Sequence, residues 1–340
     1  MNTLFHGKHF ITEDDWTLGD LDTVFDTAFD LKRRFAMGEP HRLLPDKTLF
    51  MIFFEQSTRT RNSMEAGMTQ LGGHAHDLTA DKMQISHGES PKDTAIILSR
   101  MGHGIAVRNC FYGVGNEYLR EMTRHARCPI LSLQDDIYHP FQGLADMMTI
   151  FEHFGRNPKG LKVTISWAYA ESHAKPLSVP QTQILLFPRY GLDVTVAHPA
   201  EFPLSADIVK KAEANAHAGG GKLRFTTDMD EAIEGANVVI PKNWGGFGKW
   251  SVADYLQNET ECKREMAASL ATHKDWIFDR RRVGLADPGV KMMHALPADR
   301  GREVTDEVID DERISIVFDE AENRLHTAKA IMGLTMGGRG

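Results

Sequence analysis

The sequence predicts an α/β protein with two doubly wound parallel-sheet domains that are joined by helices. From residue 161 onward, apolar runs of strand length alternate with helical patterns, which is typical of a parallel sheet covered on both faces. The first half of the chain alternates in a similar way. At 340 residues the chain is longer than a single hydrophobic core usually organises, so two domains are expected.

The first half carries clear helix and strand signals. Apolar residues recur at helical spacing over 20–37, and Gly38 follows as a stop signal. The apolar run 48–54 reads as a buried strand, and helical spacing resumes over 63–71. The remaining predicted elements are strands at 74–78 and 105–108 and helices that start at Pro91 and Pro140, where proline is tolerated in the first turn.

The second half alternates more regularly. The same criteria predict strands at 162–167, 193–197, 223–226, 236–241 and 290–294 and helices at 181–190 and 205–217.

Composition excludes several classes of function. The formal charge of −8 argues against a nucleic-acid or anionic-membrane partner, so an anionic ligand must be attracted by a local basic site. Three cysteines without a CxxC pair favour free thiols in a reducing compartment. Because no signal peptide or membrane-spanning run is evident, we expect a cytoplasmic protein. His74 and His76 could share a strand face, but without a third ligand a metal site is not predicted.

Residues 57–61, with the sequence STRTR, follow the first predicted strand and lead into a helix. The first turn of a helix carries unpaired N–H groups and the positive end of the helix dipole, which favour an anion. Hydroxyl donors and a forked guanidinium add charge-assisted hydrogen bonds to phosphate oxygens. This stretch is therefore predicted to bind a phosphate without a glycine-rich Walker sequence. A capped helix with surface arginines is the alternative.

Three further stretches combine into one pattern with residues 57–61. They are residues 83–94 (MQISHGESPKDT), 105–108 (IAVR) and 138–150 (YHPFQGLADMMTI). Together they resemble the aspartate/ornithine carbamoyltransferase family, in its carbamoyl-phosphate motif, its Gly-Glu-Ser loop, its arginine-bearing strand and its His-Pro-x-Gln signature. The resemblance implies that Ser57, Thr58, Arg59 and Thr60 hold the phosphate. It also implies that Thr60, Arg108 and His139 polarise the carbonyl oxygen, while Gln142 orients the carbamoyl nitrogen.

The Gly-Glu-Ser loop carries an implication about assembly. In relatives this loop reaches into the active site of the neighbouring subunit, where Gln84 matches a position that contacts carbamoyl phosphate. His87 lies near the place where the aspartate branch has a basic residue. The resemblance therefore implies a homotrimer with shared active sites.

The loop at 167–180 departs from the ornithine branch. Its sequence, WAYAESHAKPLSVP, is similar to the proline-bearing loop of the knotted transcarbamylases, which use acetylated or succinylated ornithine, and of relatives whose acceptor is unassigned. The resemblance implies that the second domain can contain a trefoil knot. A stiff surface loop is the alternative.

Residues 238–248 occupy the acceptor-binding segment of the family. Lys242 stands where ornithine enzymes carry an aspartate for the α-amino group of ornithine. Because a cation does not pair with an ammonium group, we expect an acceptor other than free ornithine, with a carboxylate, amide or ureido group near Lys242 and Trp244. In the alternative, Lys242 points into solvent and Trp244 packs in the core.

Residues 293–303 resemble the His-Cys-Leu-Pro motif, with Ala295 in place of the cysteine. The backbone carbonyls of Ala295 and Leu296 are implied to receive the carbamoyl NH2 group. Arg300 and Arg302 are candidates for an acceptor carboxylate, with solvated arginines as the alternative. Residues 322–332 resemble the C-terminal helix of the family, on which Arg324 is implied to lie beside the carbamoyl group.

The resemblance covers nearly the whole chain and implies a carbamoyltransferase that needs no metal or organic cofactor. Residues 1–150, completed by 322–337, are expected to bind carbamoyl phosphate, and residues 151–321 to bind the nitrogen acceptor. An N-acylated-ornithine enzyme is one alternative, although its characteristic lysine aligns with Glu303. A catalytically silent sensor on the same fold is another. A nicotinamide dehydrogenase would need the glycine fingerprint that residues 113–115 lack.

Overall fold

The computed structural model describes residues 4–171 and 174–337, and the chain divides into two compact units. The first unit consists of Met1–Met148 and Glu322–Gly340, and the second consists of Thr149–Ala321. Both units are parallel-sheet α/β structures, which confirms the predicted fold class. The trefoil knot stays a prediction.

The first unit alternates strands and helices from its start. Its elements, with α5 continuing into the second unit, are α1 (Leu18–Ala36), β1 (Thr48–Phe53), α2 (Arg59–Gln70), β2 (His74–Thr79), α3 (Pro91–Met101), β3 (Gly104–Asn109), α4 (Gly115–Thr123), β4 (Ile130–Asp135) and α5 (Pro140–Phe154).

The four strands of the first unit form a parallel sheet in the order β2-β1-β3-β4. Chain order reverses between β1 and β3, because β1 is flanked by β2 on one side and by β3 on the other. In open α/β sheets, ligands bind outside the carboxyl ends of the strands at such a switch point. The segment after β1 and the last residues of β3 are therefore the expected ligand-binding edge.

The core of the first unit is formed by apolar side chains of the sheet and of the helices that pack on it. One cluster joins strand residues to α3 and α4, and its members include Ile52, Ile105, Val107, Ile130, Ala95, Leu119 and Met122, each of which is fully buried. Burial of this kind contributes about 25 cal/mol per Å² of apolar surface, which fixes the strand ends that carry the polar residues.

The second unit repeats the alternation with shorter helices. Its elements, with α13 continuing into the first unit, are β5 (Lys162–Trp167), α6 (Ser178–Leu186), β6 (Asp193–Ala197), α7 (Ala206–Gly219), β7 (Lys222–Thr226), α8 (Met229–Ile233), β8 (Val238–Lys242), α9 (Val252–Gln257), α10 (Glu259–Leu270), α11 (Arg280–Val283), β9 (Lys291–Met292), α12 (Asp306–Ile309) and α13 (Val317–Met336).

The second sheet is also parallel, in the order β7-β6-β5-β8-β9. Its switch point lies between β5 and β8, where Trp167 is paired with Lys242 at the carboxyl ends of the two strands. The acceptor-side residues predicted from the sequence follow these two strands. Lys242 is the last residue of β8.

Several elements differ from their predicted bounds for identifiable reasons. The helix α2 begins at Arg59 rather than at residue 63, because the N–H of Asn62 already donates to the carbonyl oxygen of Thr58 at 3.2 Å. The helix α6 ends at Leu186 and continues as a 3-10 turn over Phe187–Tyr190, where Pro188 lacks an N–H.

The last strand is only two residues long, because the chain turns away from β8 soon after Met292. The N–H of Met293 still donates to Val239, but the N–H of His294 donates at 2.7 Å to the side chain of Glu320. The Glu320 side chain thus ends the backbone pairing of β9 with β8, although the apolar pattern predicted a strand over 290–294. Within the described residues, no helix is long and apolar enough to span a membrane, and Cys110, Cys128 and Cys262 are free cysteines.

Candidate active site

The polar residues predicted for the donor come together at the carboxyl edge of the first sheet. Residues 57–60 follow β1, Arg108 is the fifth residue of β3, and His139 follows β4. In the sheet register Phe53 is paired with Arg108, and Arg108 with Gln134. Because parallel strands end at the same edge, these segments are neighbours.

Arg59 is the first residue of α2, and its guanidinium is half-buried. In the described part of the chain, the Arg59 side chain has neither a hydrogen bond nor an ion pair. Burial lowers the pKa of Arg59, and the positive charge of Arg108 lowers it further. Arg59 and Arg108 together place an excess of positive charge at this strand end, because the Arg59 guanidinium has no carboxylate partner among the described residues. An anion would relieve this excess.

Arg108 is oriented by two neighbours on adjacent strand ends. Its guanidinium donates a hydrogen bond to Gln134 Oε1, and its Nε lies 3.9 Å from Glu55 Oε2. Glu55 in turn accepts a 2.9 Å hydrogen bond from the N–H of Cys110. Burial raises the pKa of Glu55, against the lowering effect of this N–H and of Arg108. Gln134 and Glu55 were not singled out from the sequence, because only the register brings them to Arg108.

Thr60, Gln142 and Arg324 form one buried hydrogen-bond network. Arg324 donates through one terminal nitrogen to Gln142 Oε1 at 2.5 Å and through the other to Thr60 Oγ1 at 2.7 Å. Gln142 Nε2 donates to Asp146 Oδ1 at 2.6 Å. All four residues are at least 97% buried. Three side chains predicted separately from the sequence are therefore held in mutual contact, and Asp146 fixes the orientation of the Gln142 amide.

His139 lies directly before α5 and is almost fully buried. Its carbonyl oxygen accepts hydrogen bonds from the N–H groups of Gln142 at 2.9 Å and Gly143 at 3.1 Å. His139 is therefore the residue that precedes the first turn of the helix, and Gln142 lies on that turn, as the sequence pattern predicts.

The loop predicted to serve a neighbouring subunit is exposed. Gln84 and His87 lie on a 3-10 turn, with His87 Nδ1 3.3 Å from Gln84 Oε1. The turn ends at Gly88, whose φ of +90° favours glycine. Ser90 then caps α3 by accepting from the N–H of Asp93. The role of Gln84 and His87 at another subunit stays a prediction.

The turn at residues 113–115 leads into α4, and its helix end is occupied by a carboxylate. Asp136 accepts from the N–H groups of Gly113 at 2.8 Å and Asn116 at 2.7 Å. A dinucleotide phosphate would need these same donors. The turn therefore connects a strand to a helix, as the sequence analysis interprets it.

The second unit has its own buried polar cluster, centred on Glu303. This fully buried carboxylate accepts from Lys175 Nζ at 2.6 Å, from the N–H of Asn243 at 2.6 Å and from the N–H of Asp299 at 2.7 Å. Lys242 Nζ lies 4.0 Å from Glu303 Oε1. In the sequence, Glu303 stands out only as the position that aligns with the lysine of N-acylated-ornithine enzymes, and no local pattern marks Lys175.

His294 completes this cluster. Its Nδ1 accepts from the N–H of Leu296 at 2.9 Å, so in the neutral ring the proton is assigned to Nε2, which lies 3.1 Å from Glu303 Oε2. Burial lowers the pKa of His294. Burial alone would raise the pKa of Glu303, but the His294 ring and the ammonium groups of Lys242 and Lys175 hold it well below its usual value. Glu303 is therefore a permanent anion at neutral pH.

The cluster links three segments of the second unit. Lys175 belongs to the proline-bearing loop, its N–H donates to Asn243 Oδ1 at 3.2 Å, and its carbonyl accepts from the N–H of Gly245 at 2.9 Å. Glu303 and Asp299 lie in the segment that follows the His-Ala-Leu-Pro motif. Ser172 and His173 of the same loop lie outside the described residues. The loop is thus fixed to the strand end that carries Lys242.

The remaining acceptor candidates differ in their surroundings. Lys242 is 6% exposed, so its side chain does not extend into solvent. Trp244 is fully buried, and its indole N–H donates to the carbonyl of Phe202 at 2.9 Å. This agrees with the alternative in which Trp244 packs in the core. Arg300 pairs with Asp310 at 2.7 Å and with Asp306 at 2.8 Å, so an acceptor carboxylate would have to displace existing carboxylates.

The backbone near the substituted motif is unusual. Leu296 has a φ of +46°, in the left-handed region that residues other than glycine seldom adopt. Such residues concentrate at ligand sites, where the surrounding structure holds them. The roles predicted for the carbonyls of Ala295 and Leu296 stay predictions. Arg302 pairs with Glu171 at 2.8 Å.

Comparison with known proteins identifies the two halves separately. Residues 8–152 match the family described as aspartate/ornithine carbamoyltransferase, carbamoyl-P binding domain. Residues 173–335 match the Asp/Orn binding domain of the same family. The chain belongs to the aspartate/ornithine carbamoyltransferase family. It is accordingly a carbamoyltransferase.

Similar proteins include named enzymes of this family. Ornithine carbamoyltransferase of Pyrococcus abyssi is 37% identical over 332 residues, covering 98% of this chain and 96% of that protein. YgeW of Escherichia coli K12, assigned only provisionally as a carbamoyltransferase, is 36% identical over 337 residues, covering 91% and 85%. The solved structure of acetylornithine transcarbamylase with acetylcitrulline superposes with a TM-score of 0.86 at 29% identity, covering 98% of this chain and all of that chain.

These relatives differ in the acceptor that their names give, so the family assignment leaves the acceptor of this carbamoyltransferase open. Across the described ranges 4–171 and 174–337, no group of three or more histidines, cysteines or carboxylates is arranged to bind a metal ion.

Proposed function

We propose that this carbamoyltransferase moves the carbamoyl group of carbamoyl phosphate onto a nitrogen atom of a small acceptor other than free ornithine. The observation that supports the donor site is the Arg59 guanidinium, half-buried beside the charge of Arg108. It has no carboxylate partner in the described part of the chain. A dianionic phosphate supplies the missing negative charge at the start of α2.

The proposed reaction is a direct acyl transfer. The acceptor nitrogen attacks the carbonyl carbon, the bond from that carbon to the phosphate oxygen breaks, and the departing phosphate takes the proton from the nitrogen. Thr60, Arg108 and His139 stabilise the oxyanion that forms on the carbonyl oxygen. One preorganised donor of this kind lowers the barrier by about 3 kcal/mol.

The remaining donor-side residues position the carbamoyl group. Ser57, Thr58 and Arg59 bind the phosphate oxygens, and Gln142 orients the carbamoyl NH2 group. Arg324 holds Gln142 and Thr60 in one network, so the two ends of the carbamoyl group are recognised by connected side chains. Holding the reactants in one geometry supplies much of the remaining rate enhancement.

The donor site is tested by titration calorimetry with phosphonoacetamide, a stable analogue that has the carbonyl and phosphonate groups of carbamoyl phosphate. Arg59→Ala should weaken binding by about 10- to 100-fold, because it removes a charge-assisted hydrogen bond. Arg61→Ala is the matched control on the same helix. Its guanidinium pairs with Asp77 and lies 4.2 Å from the centre of the Phe53 ring, so binding should stay near the wild-type value. Equal binding by both variants would refute the assignment of Arg59.

The acceptor side rests on Lys242, the last residue of β8. The buried Lys242 ammonium, with Lys175 on the same Glu303 carboxylate, would repel the α-ammonium group of ornithine. A carboxylate, amide or ureido group can instead accept a hydrogen bond from Lys242. Carbamoyl phosphate and free ornithine should therefore give no rapid citrulline formation. Rapid citrulline formation by purified protein would remove this part of the proposal.

Two alternatives are distinguished by the acceptor panel. The first alternative, an N-acylated-ornithine enzyme, is supported by the proline-bearing loop. Such an enzyme would convert N-acetyl- or N-succinylornithine. The presence of Glu303 where those enzymes have a lysine weighs against this alternative. A silent sensor, suggested by Ala295, would bind phosphonoacetamide but release no phosphate from carbamoyl phosphate with any acceptor. Phosphate release with an amide or ureido acceptor excludes the sensor.

We also propose that the protein acts as a homotrimer in which Gln84 and His87 complete the donor site of a neighbouring subunit. Both side chains are exposed within their own chain, which leaves them accessible to a partner. Light scattering should give a mass three times that of the 38.1 kDa chain. Gln84→Ala should weaken phosphonoacetamide binding without changing that mass. A monomeric protein with full affinity for the analogue would contradict the shared site.

A further inference from the structure

The turn that delivers His139 is folded around one carboxylate. Asp135 Oδ1 accepts hydrogen bonds from the N–H groups of Ile137 at 2.9 Å and Tyr138 at 2.7 Å. The N–H of Asp135 also donates to the carbonyl of Tyr138 at 2.9 Å. An aspartate that binds the N–H two residues on forms an Asx-turn, which replaces a backbone turn. The residue directly after this turn is His139.

The second oxygen of the same carboxylate anchors the turn to the sheet and to a helix. Asp135 Oδ2 accepts from Ser132 Oγ at 2.9 Å and from Asn116 Nδ2 at 3.2 Å. Asp135 is fully buried. Four donors from β4, α4 and the turn therefore converge on one side chain, and no alternative partner from solvent can replace it.

A β-bulge lies at the same strand end. Val107 is paired with Ser132, but Arg108 is paired with Gln134, so Leu133 is an extra residue in β4. A bulge bends its strand and re-aims the side chains that follow, and bulges are common beside active sites. Here it sets Gln134 against the Arg108 guanidinium, and Asp135 is the next and last residue of β4.

We propose that Asp135 is a positioning residue for the carbonyl end of the donor. It fixes the turn that holds His139, and it fixes the bulged strand end that holds Gln134 against Arg108. Asp135 itself touches no substrate in this proposal. The inference rests on the proposed function, because it needs His139 and Arg108 to contact the carbonyl oxygen of the donor.

The test separates carbonyl recognition from phosphate recognition by using two ligands. Phosphonoacetamide has both groups, whereas methylphosphonate has the phosphonate without the carbonyl. The quantity measured is the ratio of the two dissociation constants, determined by titration calorimetry. In wild-type protein, phosphonoacetamide should bind more tightly. In Asp135→Ala, this preference should fall about tenfold, the change expected when one hydrogen bond to the carbonyl is lost.

Two further variants keep the test informative if Asp135→Ala folds poorly. Asp135→Asn retains one oxygen that can accept from the turn N–H groups, so it should restore part of the carbonyl preference. Asp136→Asn alters the neighbouring carboxylate, whose hydrogen bonds go to Gly113 and Asn116 at the start of α4. It should lower the melting temperature but leave the ligand ratio unchanged.

The outcomes distinguish this inference from the proposed function. If wild-type protein binds neither ligand, the proposed donor site is wrong, and the inference falls with it. If wild-type protein prefers phosphonoacetamide and both Asp135 variants keep the full preference, only the role of Asp135 is refuted. An equal loss of preference in Asp136→Asn would mean that general loosening explains the effect, which also overturns the inference.

Discussion

Replacing Glu303 by glutamine should destabilise the second unit strongly. The wild-type carboxylate is fully buried and accepts from Lys175 Nζ at 2.6 Å and from two backbone N–H groups. The glutamine amide keeps the size of the side chain but removes its charge and one acceptor oxygen. The ammonium group of Lys175 is then left with the carbonyl oxygen of Pro297 and with Asp299, whose carboxylate is 3.3 Å away and partly exposed.

The magnitude follows from these contacts. Removing one partner of a buried ion pair costs about 3–5 kcal/mol, because the remaining charge is desolvated without compensation. Asp299 supplies part of that compensation, so we expect the lower end, about 3 kcal/mol. For a unit of this size, 1 kcal/mol shifts the melting temperature by roughly 2–4 °C, which gives a fall of about 6–12 °C.

Tryptophan fluorescence is a suitable probe, because Trp167, Trp244, Trp250 and Trp276 lie in the second unit and only Trp16 lies in the first. Thermal unfolding followed by this signal reports mainly on the second unit. The control is Glu171→Gln, which removes a carboxylate from an exposed ion pair with Arg302 and should change the melting temperature little.

Two additional measurements sharpen this prediction. Adding Lys175→Met to Glu303→Gln should recover part of the loss, because both charges of the pair are then absent. The folded-state pKa of Glu303 lies below its usual value of 4.5, so its stabilising effect is present above that pH and is lost as the pH falls further. The gap between wild type and Glu303→Gln should narrow below pH 4.5. A melting temperature for Glu303→Gln equal to that of Glu171→Gln would refute the reasoning.

Gly115→Ala should lower the melting temperature, because a Cβ atom there would lie 1.9 Å from the carbonyl oxygen of Asn109; overpacking of this kind costs about 1–3 kcal/mol. Gly19→Ala is the control, since its Cβ would meet no atom closer than 4.0 Å, and an equal fall in both variants would contradict the packing argument. Lys329 is buried, donates to Gln70 at 2.9 Å, and burial lowers its pKa from 10.5 to about 8. Between pH 8 and pH 10.5 the unfolded chain binds more protons than the folded protein does. The free energy of unfolding of the wild type should therefore rise by up to about 1.4 kcal/mol per pH unit relative to that of Lys329→Met. Urea denaturation from pH 7 to 10 measures this difference, and parallel curves for the two proteins would disprove it.

The placement of the residues proposed for the donor was largely predictable from sequence, because they lie at fixed offsets from strand ends and helix starts. Apolar periodicity located β1 and β3, and Pro140 marked the first residue of α5. Local signals of this kind are sufficient when a short segment supplies several functional groups. The parallel sheet then brings the segments to one edge.

The placement of the residues proposed for the acceptor was less predictable, because it depends on contacts between residues that are distant in the sequence. Lys175 and Glu303 are separated by 128 positions, and no local pattern pairs them. The bulge at Leu133 could not be predicted from the sequence either. An apolar run does not indicate which of its residues leaves the register between β3 and β4. The strand predicted at 290–294 was too long because the Glu320 side chain captures the N–H of His294.

The discontinuity of the first unit has a consequence for biosynthesis. Arg324 is translated 182 residues after Gln142 and 264 residues after Thr60, the two side chains that it joins. At roughly 5–20 residues per second, the ribosome needs on the order of ten seconds or more to make the intervening second unit. Throughout that interval the emerging chain lacks the helix whose Ile331 and Met332 side chains are buried in the finished protein. A nascent chain of this protein therefore cannot form the network of Thr60, Gln142 and Arg324 until the whole second unit has been made.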